Sequence, residues 1–394
     1  MAVVLCFGIV FTTGPAFAAD KFDILMDKLV SKGVLSEADA VDIRNEVEME
    51  AASQTASAPA TKKETPANWA EKIKVKGDLR LRHQWEDRDE DGAPVRNRDR
   101  ARFRLGLETD VNEKLKLGAG VATGGTNPRS TNQTFQDTFA TKSLDLDYVY
   151  ADYKPFDWAE VFGGKFPGEK VIWEPAEMLW DTDIRPEGAG SVLTSDVSDN
   201  LKLALNSGVF VLDEASTTTN NPWMYFVQPS VKWGISDNVS LKTAASYYGI
   251  DSNNNDIDNS SDTNTKAGAN HKYDYDSIVP VVELGITEPL GGIVPYFALF
   301  GEYVKAFDPD DRNEGYASGF KFGDKKVGDK GSWQFKYVYK YLQQDAWFDA
   351  LSDLDTYDGE TNIKGHRLSI QYALCPNVSF GLAYYYIEPI QDIA

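Results

Sequence analysis

From Ile73 onward, apolar and polar side chains alternate with a period of two. In IKVKGDLRLRHQW (73–85), Ile73, Val75, Leu79, Leu81 and Trp85 fall on one face; Lys74, Lys76, Asp78, Arg80, Arg82 and Gln84 fall on the other. The next run, RARFRLGLETDV (100–111), is stricter: every even position to Asp110 is charged except Gly106, and every odd position to Val111 is apolar except Thr109. Alternation of this kind predicts strands with two unlike faces, and these runs exceed the about 5–6 residues of an ordinary soluble strand. Similar runs follow at 115–124, 144–154, 158–166, 189–196, 201–213, 223–234 and 238–250, and then at 273–286, 293–306, 316–324, 331–342, 364–374 and 378–388. Together they predict about fifteen strands, several of them long enough for the roughly 9–11 residues that cross a bilayer at a tilt.

The connections between runs alternate in length. NEK (112–114), KPFD (154–157), SDVSDN (195–200), GISDN (234–238), TEPLGG (287–292), DKKVGDK (324–330) and CPN (375–377) are short. The segments 87–99, 125–143, 167–188, 214–222, 251–272, 307–315 and 343–363 are long. An outer-membrane β-barrel sorts its connections in this way, with short periplasmic turns and long external loops. Aromatics gather near the run ends, at Trp85, Trp158, Phe162, Trp223, Trp233, Tyr247, Tyr248, Trp333, Tyr339, Tyr341 and Tyr384, where a membrane–water boundary suits a ring with a polar tip. The expected fold is therefore all-β, an antiparallel transmembrane barrel of the 16-strand type. A bacterial single-chain barrel needs an even number of strands. The chain ends YYYIEPIQDIA, so the expectation is a C-terminally truncated sequence whose closing strand is missing.

The N-terminal part departs from this period. AVVLCFGIVFTTGPAFA ends in Ala16-Phe17-Ala18, the small-residue pattern of a cleaved secretory signal, so residues 1–18 are expected to be a signal peptide. Its start lacks a basic region, which suggests that the true start lies upstream. Residues 19–50 place Phe22, Leu25, Met26 and Leu29, then Ala40, Ile43, Arg44 and Val47, at helical spacing on either side of Gly33. They are expected to form a helical, coiled-coil-like periplasmic segment. Residues 51–70 have linker composition, and residues 71–394 form the barrel domain.

Charge and composition narrow the function. A net charge of −21 on 394 residues argues against a nucleic-acid partner. The mean hydropathy of −0.41 is that of a soluble protein, a reading that fails for barrels because their alternating strands average to polar. Cys6 would leave with the signal and Cys375 would then stand alone, so no disulfide is expected. His83, His271 and His366 are scattered, with no nucleophile motif, metal-binding spacing or phosphate-binding glycine loop. Neither enzyme activity nor a cofactor or metal is expected; Asp181-x-Asp183 is only a fragment of a calcium loop.

Two sets of residues carry the expected channel chemistry. Arg80, Arg82, Arg100, Arg102 and Arg104 share the polar faces of the first two strands. On a lipid face each would cost roughly 2–4 kcal/mol near the midplane, so they are expected to form a basic wall in the lumen, or else to neutralise Asp78, Glu108 and Asp110 nearby. The loop GEKVIWEPAEMLWDTDIRPEG (168–188) combines Ile172, Trp173, Met178, Leu179 and Trp180 with Glu169, Glu174, Glu177, Asp181, Asp183 and Glu187. Folded into the barrel, it would pack its tryptophans on the wall and oppose carboxylates to arginines, creating a transverse field.

The segments FDILMDKLVSKGVLSEADA, IKVKGDLRLRHQ, LWDTDIRPEG and DAWFDALSDLDTYDGETNIKGHRLSIQY resemble the putative porins of Gram-negative outer membranes. That resemblance implies an outer-membrane diffusion channel with an inward-folded third loop, by analogy with the general 16-strand trimeric porins. The partners it implies are outer-membrane lipid and lipopolysaccharide, small hydrophilic solutes and ions, and two further copies in a homotrimer. A channel specific for sugar or phosphate is the alternative within transport. A secreted soluble β-protein that binds glycans would need its apolar faces buried against a second sheet. Net charge argues for cation preference and the arginines for anion preference, and composition does not decide between them.

Overall fold

The computed structural model describes residues 2–12 (as backbone), 72–88, 94–214, 221–252, 257–290 and 293–391. The expected helical segment and linker lie outside these residues, as does the end of the expected signal peptide. Among the described residues there are sixteen long strands: β1 (Ala2–Thr12), β2 (Ile73–Arg88), β3 (Arg96–Asp110), β4 (Leu115–Thr123), β5 (Leu144–Phe156), β6 (Ala159–Lys165), β7 (Glu187–Ser198) and β8 (Leu201–Val211). They continue with β9 (Trp223–Gly234), β10 (Val239–Ile250), β11 (Ser277–Thr287), β12 (Tyr296–Ala306), β13 (Glu314–Gly323), β14 (Trp333–Leu342), β15 (Ile363–Cys375) and β16 (Val378–Pro389). No helix among the described residues is long and apolar enough to cross a membrane.

The fifteen strands from Ile73 onward form one antiparallel ladder in sequence order. The free edges of its two ends, on β2 and β16, both pair with β1: Gly8 lies opposite Arg82 on one side and Gly381 on the other. A strand edge with unpaired N–H and C=O groups is a template for any extended segment, and the apolar, β-branched stretch from Ala2 to Thr12 meets that need. The same composition serves a signal peptide, so occupation of this seam does not bear on whether the segment is cleaved. The observed connections keep the short–long order except at the loop 307–313, which is shorter than both turns that flank it, 288–295 and 324–332.

Burial assigns the faces. Leu79, Leu81, Phe103, Leu105 and Leu107 are 36–46 % exposed, whereas Arg82 on the same strand is 5 % exposed. The apolar face is therefore the outer one, and the arginines point inward. Gly106, the gap in the charged series, has a physical cause: a Cβ there would lie 1.9 Å from the Tyr148 hydroxyl, which crosses from β5. The rings of Trp158, Trp223 and Trp233 are exposed, as expected of a boundary girdle. Phe162 and Tyr248 are each 2 % exposed and face the interior. Successive residues point to opposite faces, so adjacent Tyr247 and Tyr248 could not both meet lipid.

Candidate functional site in the barrel lumen

The loop between β6 and β7 (166–186) turns into the lumen because its apolar residues find a surface there. Phe166, Val171, Met178 and Leu179 are at most 2 % exposed, and Trp180 packs against Tyr248 and Trp347. Its path is fixed from several strands. Asn206 of β8 donates to the Val171 carbonyl at 2.6 Å, and Gln228 of β9 bonds both the backbone N–H and the carbonyl of Trp173. Lys242 of β10 lies 3.7 Å above the Trp173 ring. From β14, Lys336 donates to the Pro175 carbonyl and Lys340 to that of Glu177. Glu177 has φ of 57°, a left-handed conformation costing roughly 1–2 kcal/mol outside glycine. It is held there from both ends, since Arg367 of β15 pairs with its carboxylate at 2.6 Å.

The six acids of this loop meet different partners. Asp183 pairs with Arg104, lies 3.8 Å from Arg102, and accepts from the backbone and hydroxyl of Thr131. Those arginines outweigh burial and hold its carboxyl below the usual range. Burial alone would raise the Glu177 carboxyl, but Arg367 beside it lowers it. Glu174 meets no guanidinium; its carboxylate accepts from the backbone N–H groups of Met178, Leu179 and Trp180 and so shapes the loop itself. Asp181 accepts from the backbone N–H of Leu354 and of Asp183, both at 2.8 Å. Burial, then Asp353 and Asp183, push its carboxyl well above the usual range. Glu169 is largely exposed, 3.9 Å from Arg185, and Glu187 pairs with Lys165 at the start of β7.

The arginines divide likewise. Arg82 takes Asp355 through both carboxylate oxygens at 2.9 Å, and Arg102 pairs with Asp78 at 2.7 Å. Arg80 donates to the Asn132 side chain at 2.7 Å, and Arg100 reaches only the Ser130 hydroxyl at 3.4 Å. Arg104 and Arg102 border a cavity of about 450 Å³ that Trp180, Glu177 and Asp183 close from the loop side.

A second inward loop, 343–362, entered the sequence reading only as a long connection and through the family resemblance of its segment, with no role assigned. Ala346, Trp347 and Phe348 are at most 1 % exposed, and the Trp347 indole donates to the Leu179 carbonyl at 2.6 Å, so this loop supports the first. Asp349 accepts from Ser260 at 2.7 Å and from the backbone N–H groups of Thr263 and Asn264, with His271 at 3.7 Å. These donors outweigh burial and hold its carboxyl at about 2. Arg129, 4 % exposed, donates to the carbonyls of Asp349 and Asn259, each at 2.7 Å, and joins three external loops. The wall cations Lys336, Lys340 and Arg367 were legible only as polar-face positions of their strands.

A lipid-facing belt around a charged lumen, with loops folded across it, defines a β-barrel channel of the bacterial outer membrane. The profile of the putative porin family matches residues 89–285 and 269–393, so the chain belongs to that family, and the protein is an outer-membrane channel for passive diffusion of solutes. Comparison with curated protein sequences returns no match. Among solved structures, the chain is similar to Pseudomonas putida OprB in its high-pH form, with 10% identity, TM-score 0.44, and coverage of 98% of this chain and 93% of that one. It is similar also to a triple mutant of the Rhodopseudomonas blastica porin, with 10% identity, TM-score 0.42, and coverage of 80% and 100%. A loop L8 deletion mutant of OmpT from Vibrio cholerae matches with 10% identity, TM-score 0.41, and coverage of 80% and 99%.

Proposed function

We propose that the channel passes small hydrophilic solutes and ions through a constriction between the loop 166–186 and the basic wall of β2 and β3. The observation that carries this reading is the contact of Asp183 with Arg104 and Arg102. It ties a loop carboxylate to wall guanidiniums, and fixed charges lining the opening beside that contact orient dipolar solutes and filter ions. Asp183 and Glu177 are the constriction acids that face cations; Glu174 and Asp181 shape the loop, while Glu169 and Glu187 stand at its margins. Arg80 and Arg100, bonded to neutral oxygens, leave the wall with net positive charge, which favours anions in spite of the acidic total. Export by cleavage of residues 1–18, assembly as a homotrimer and contact with lipopolysaccharide complete the proposal.

Planar-bilayer recording tests it. The purified full chain should give stable, ohmic steps, and Asp183→Asn should change their size or ion preference. Absence of conductance from protein that shows a heat-modifiable gel shift would reject the channel reading. Unchanged conductance and selectivity in Asp183→Asn would reject this constriction.

A further inference from the structure

We infer that the lumen holds a binding site for a compact divalent oxyanion between β2 and the strands β14–β16. The inference rests on the channel reading above and names a solute class for it. A cavity of about 290 Å³ is lined there by Arg80, Arg82, Lys336, Arg367 and Asp355, with the amides of Gln334 and Gln371 between them. Four cations and one carboxylate thus line one cavity. The carboxylate is already engaged, because Asp355 is held by Arg82 through both oxygens. Arg367 is likewise matched, by Glu177 at 2.6 Å and Asp353 at 3.8 Å.

Two positive charges remain without a carboxylate within ion-pair distance among the described residues. Arg80 donates to the Asn132 carbonyl oxygen, and Lys336 to the Pro175 carbonyl at 2.8 Å. Lys336 also lies 5.3 Å above the Phe300 ring, which fixes its ammonium toward the lumen side of β14. A neutral oxygen satisfies one donor and leaves the charge itself uncompensated. The Nε atoms of Arg80 and Arg367 are, in addition, buried without a hydrogen-bond partner. Such atoms are costly unless something accepts from them. The unmatched charge is therefore two, and the unmatched groups are all donors.

A compact dianion with several acceptor oxygens answers both needs at once. A monovalent halide would neutralise half the charge and accept along fewer directions. A neutral sugar would meet the donors and leave the charges. Guanidinium groups present planar forks of N–H donors suited to phosphate and carboxylate oxygens, and an ammonium adds a point charge. Phosphate and short dicarboxylates share that chemistry and differ in reach, so probes of both kinds separate them.

The test is single-channel recording of the full chain with inorganic phosphate at pH 8, with succinate, and with chloride as the only anion. Phosphate or succinate should interrupt the current in a concentration-dependent way that chloride does not. Block by phosphate alone assigns a tetrahedral oxyanion, and block by both assigns a charge-selective site for either. Losing one charge-assisted contact is worth about a factor of ten in affinity. The half-blocking concentration should therefore rise about tenfold in Lys336→Gln and in Arg80→Gln, and stay unchanged in Lys202→Gln, exposed at the start of β8. Lys336→Arg, which keeps the charge, should restore block. An open wild-type channel that neither dianion interrupts overturns the site while leaving the channel reading intact. So does block that Lys336→Gln and Arg80→Gln leave unchanged. A chain that inserts without conducting rejects the channel reading itself.

Discussion

The two loops that fold into the lumen are built from similar residues and are both tethered to the wall by charge; the second is also knitted to the external loop 251–276. The loop 166–186 is tethered by charge to the wall: Asp183 to Arg104, Glu177 to Arg367, and its carbonyls to Lys336 and Lys340. The loop 343–362 is tethered to the wall as well, Asp355 to Arg82 and Asp353 to Lys340, and is in addition knitted to other loops, with Asp349 and Asp345 accepting backbone N–H groups from 263–265 and Arg129 reaching in from 124–143. Asp183, Lys340 and Asp353 are each at most 8 % exposed, so salt screens these tethers little. Similar acidic composition thus gives a loop held to the wall in one case and a loop held to both the wall and the external loops in the other.

The largest test of that contrast is Trp347→Ala. It empties a fully buried site and strips the Leu179 carbonyl of its donor, so a loss of about 3–5 kcal/mol is expected. Both loops should become open to limited proteolysis, and unit conductance should rise. Trp347→Phe keeps most of the packing and removes one hydrogen bond, so about 1 kcal/mol should be lost, measured by the midpoint of heat-induced gel mobility change. Next in size is Arg129→Ala, which leaves the buried Asp349 carbonyl unmatched and frees the exposed Asn259 carbonyl, at a cost on the order of 1–3 kcal/mol. It should loosen the external loops while the reversal potential set at the constriction stays as in the native chain.

Acid should separate the loops by pH. The Asp349 carboxyl is depressed to about 2 in the fold, below an unfolded value near 3.9. Its contribution, about 2 kcal/mol at most, is full above pH 4 and is lost as pH falls toward 2. Asp181 has the opposite sign: its carboxyl is raised by burial and by Asp353 and Asp183, so protonation favours its folded surroundings. Lowering pH from neutral should first tighten the contact between the loops, and only in stronger acid release the external cluster. Protease sensitivity across pH 7 to 2, falling before it rises, is the expected record. The smallest effect belongs to Glu187→Gln, which removes one surface pair with Lys165, and should change stability by less than about 1 kcal/mol and leave selectivity unaltered.

Fifteen strands and their faces were legible because a period of two is local and survives any tertiary arrangement; the segment of β1 has no such period and reads as a signal peptide. The lumen position of all five arginines followed from parity and the cost of charge in lipid. Lys336, Lys340 and Arg367 carried the same parity signal in WQFKYVYKYL and GHRLSIQY, but cations spaced this widely stand out less than RARFR. The fate of the loop acids was not legible. Whether a carboxylate meets a guanidinium or its own backbone depends on loop dihedrals, such as the positive φ at Glu177, which no side-chain pattern encodes. The role of 343–362 was half visible: AWF and AL in that loop are as apolar as IW and MLW in the first. What was missing was the indole bond from Trp347 to Leu179, a contact between residues far apart in the chain.

Reversal potential under a salt gradient tests the central claim most directly, with the native chain compared against the variant Arg80→Ser with Arg100→Ser. These arginines bond neutral oxygens, so they supply the net positive charge of the wall. The native channel is predicted to prefer anions and the variant to shift toward cations at similar conductance. A native channel that prefers cations, or a variant whose reversal potential does not move, would contradict the basic wall as the element that sets ion preference.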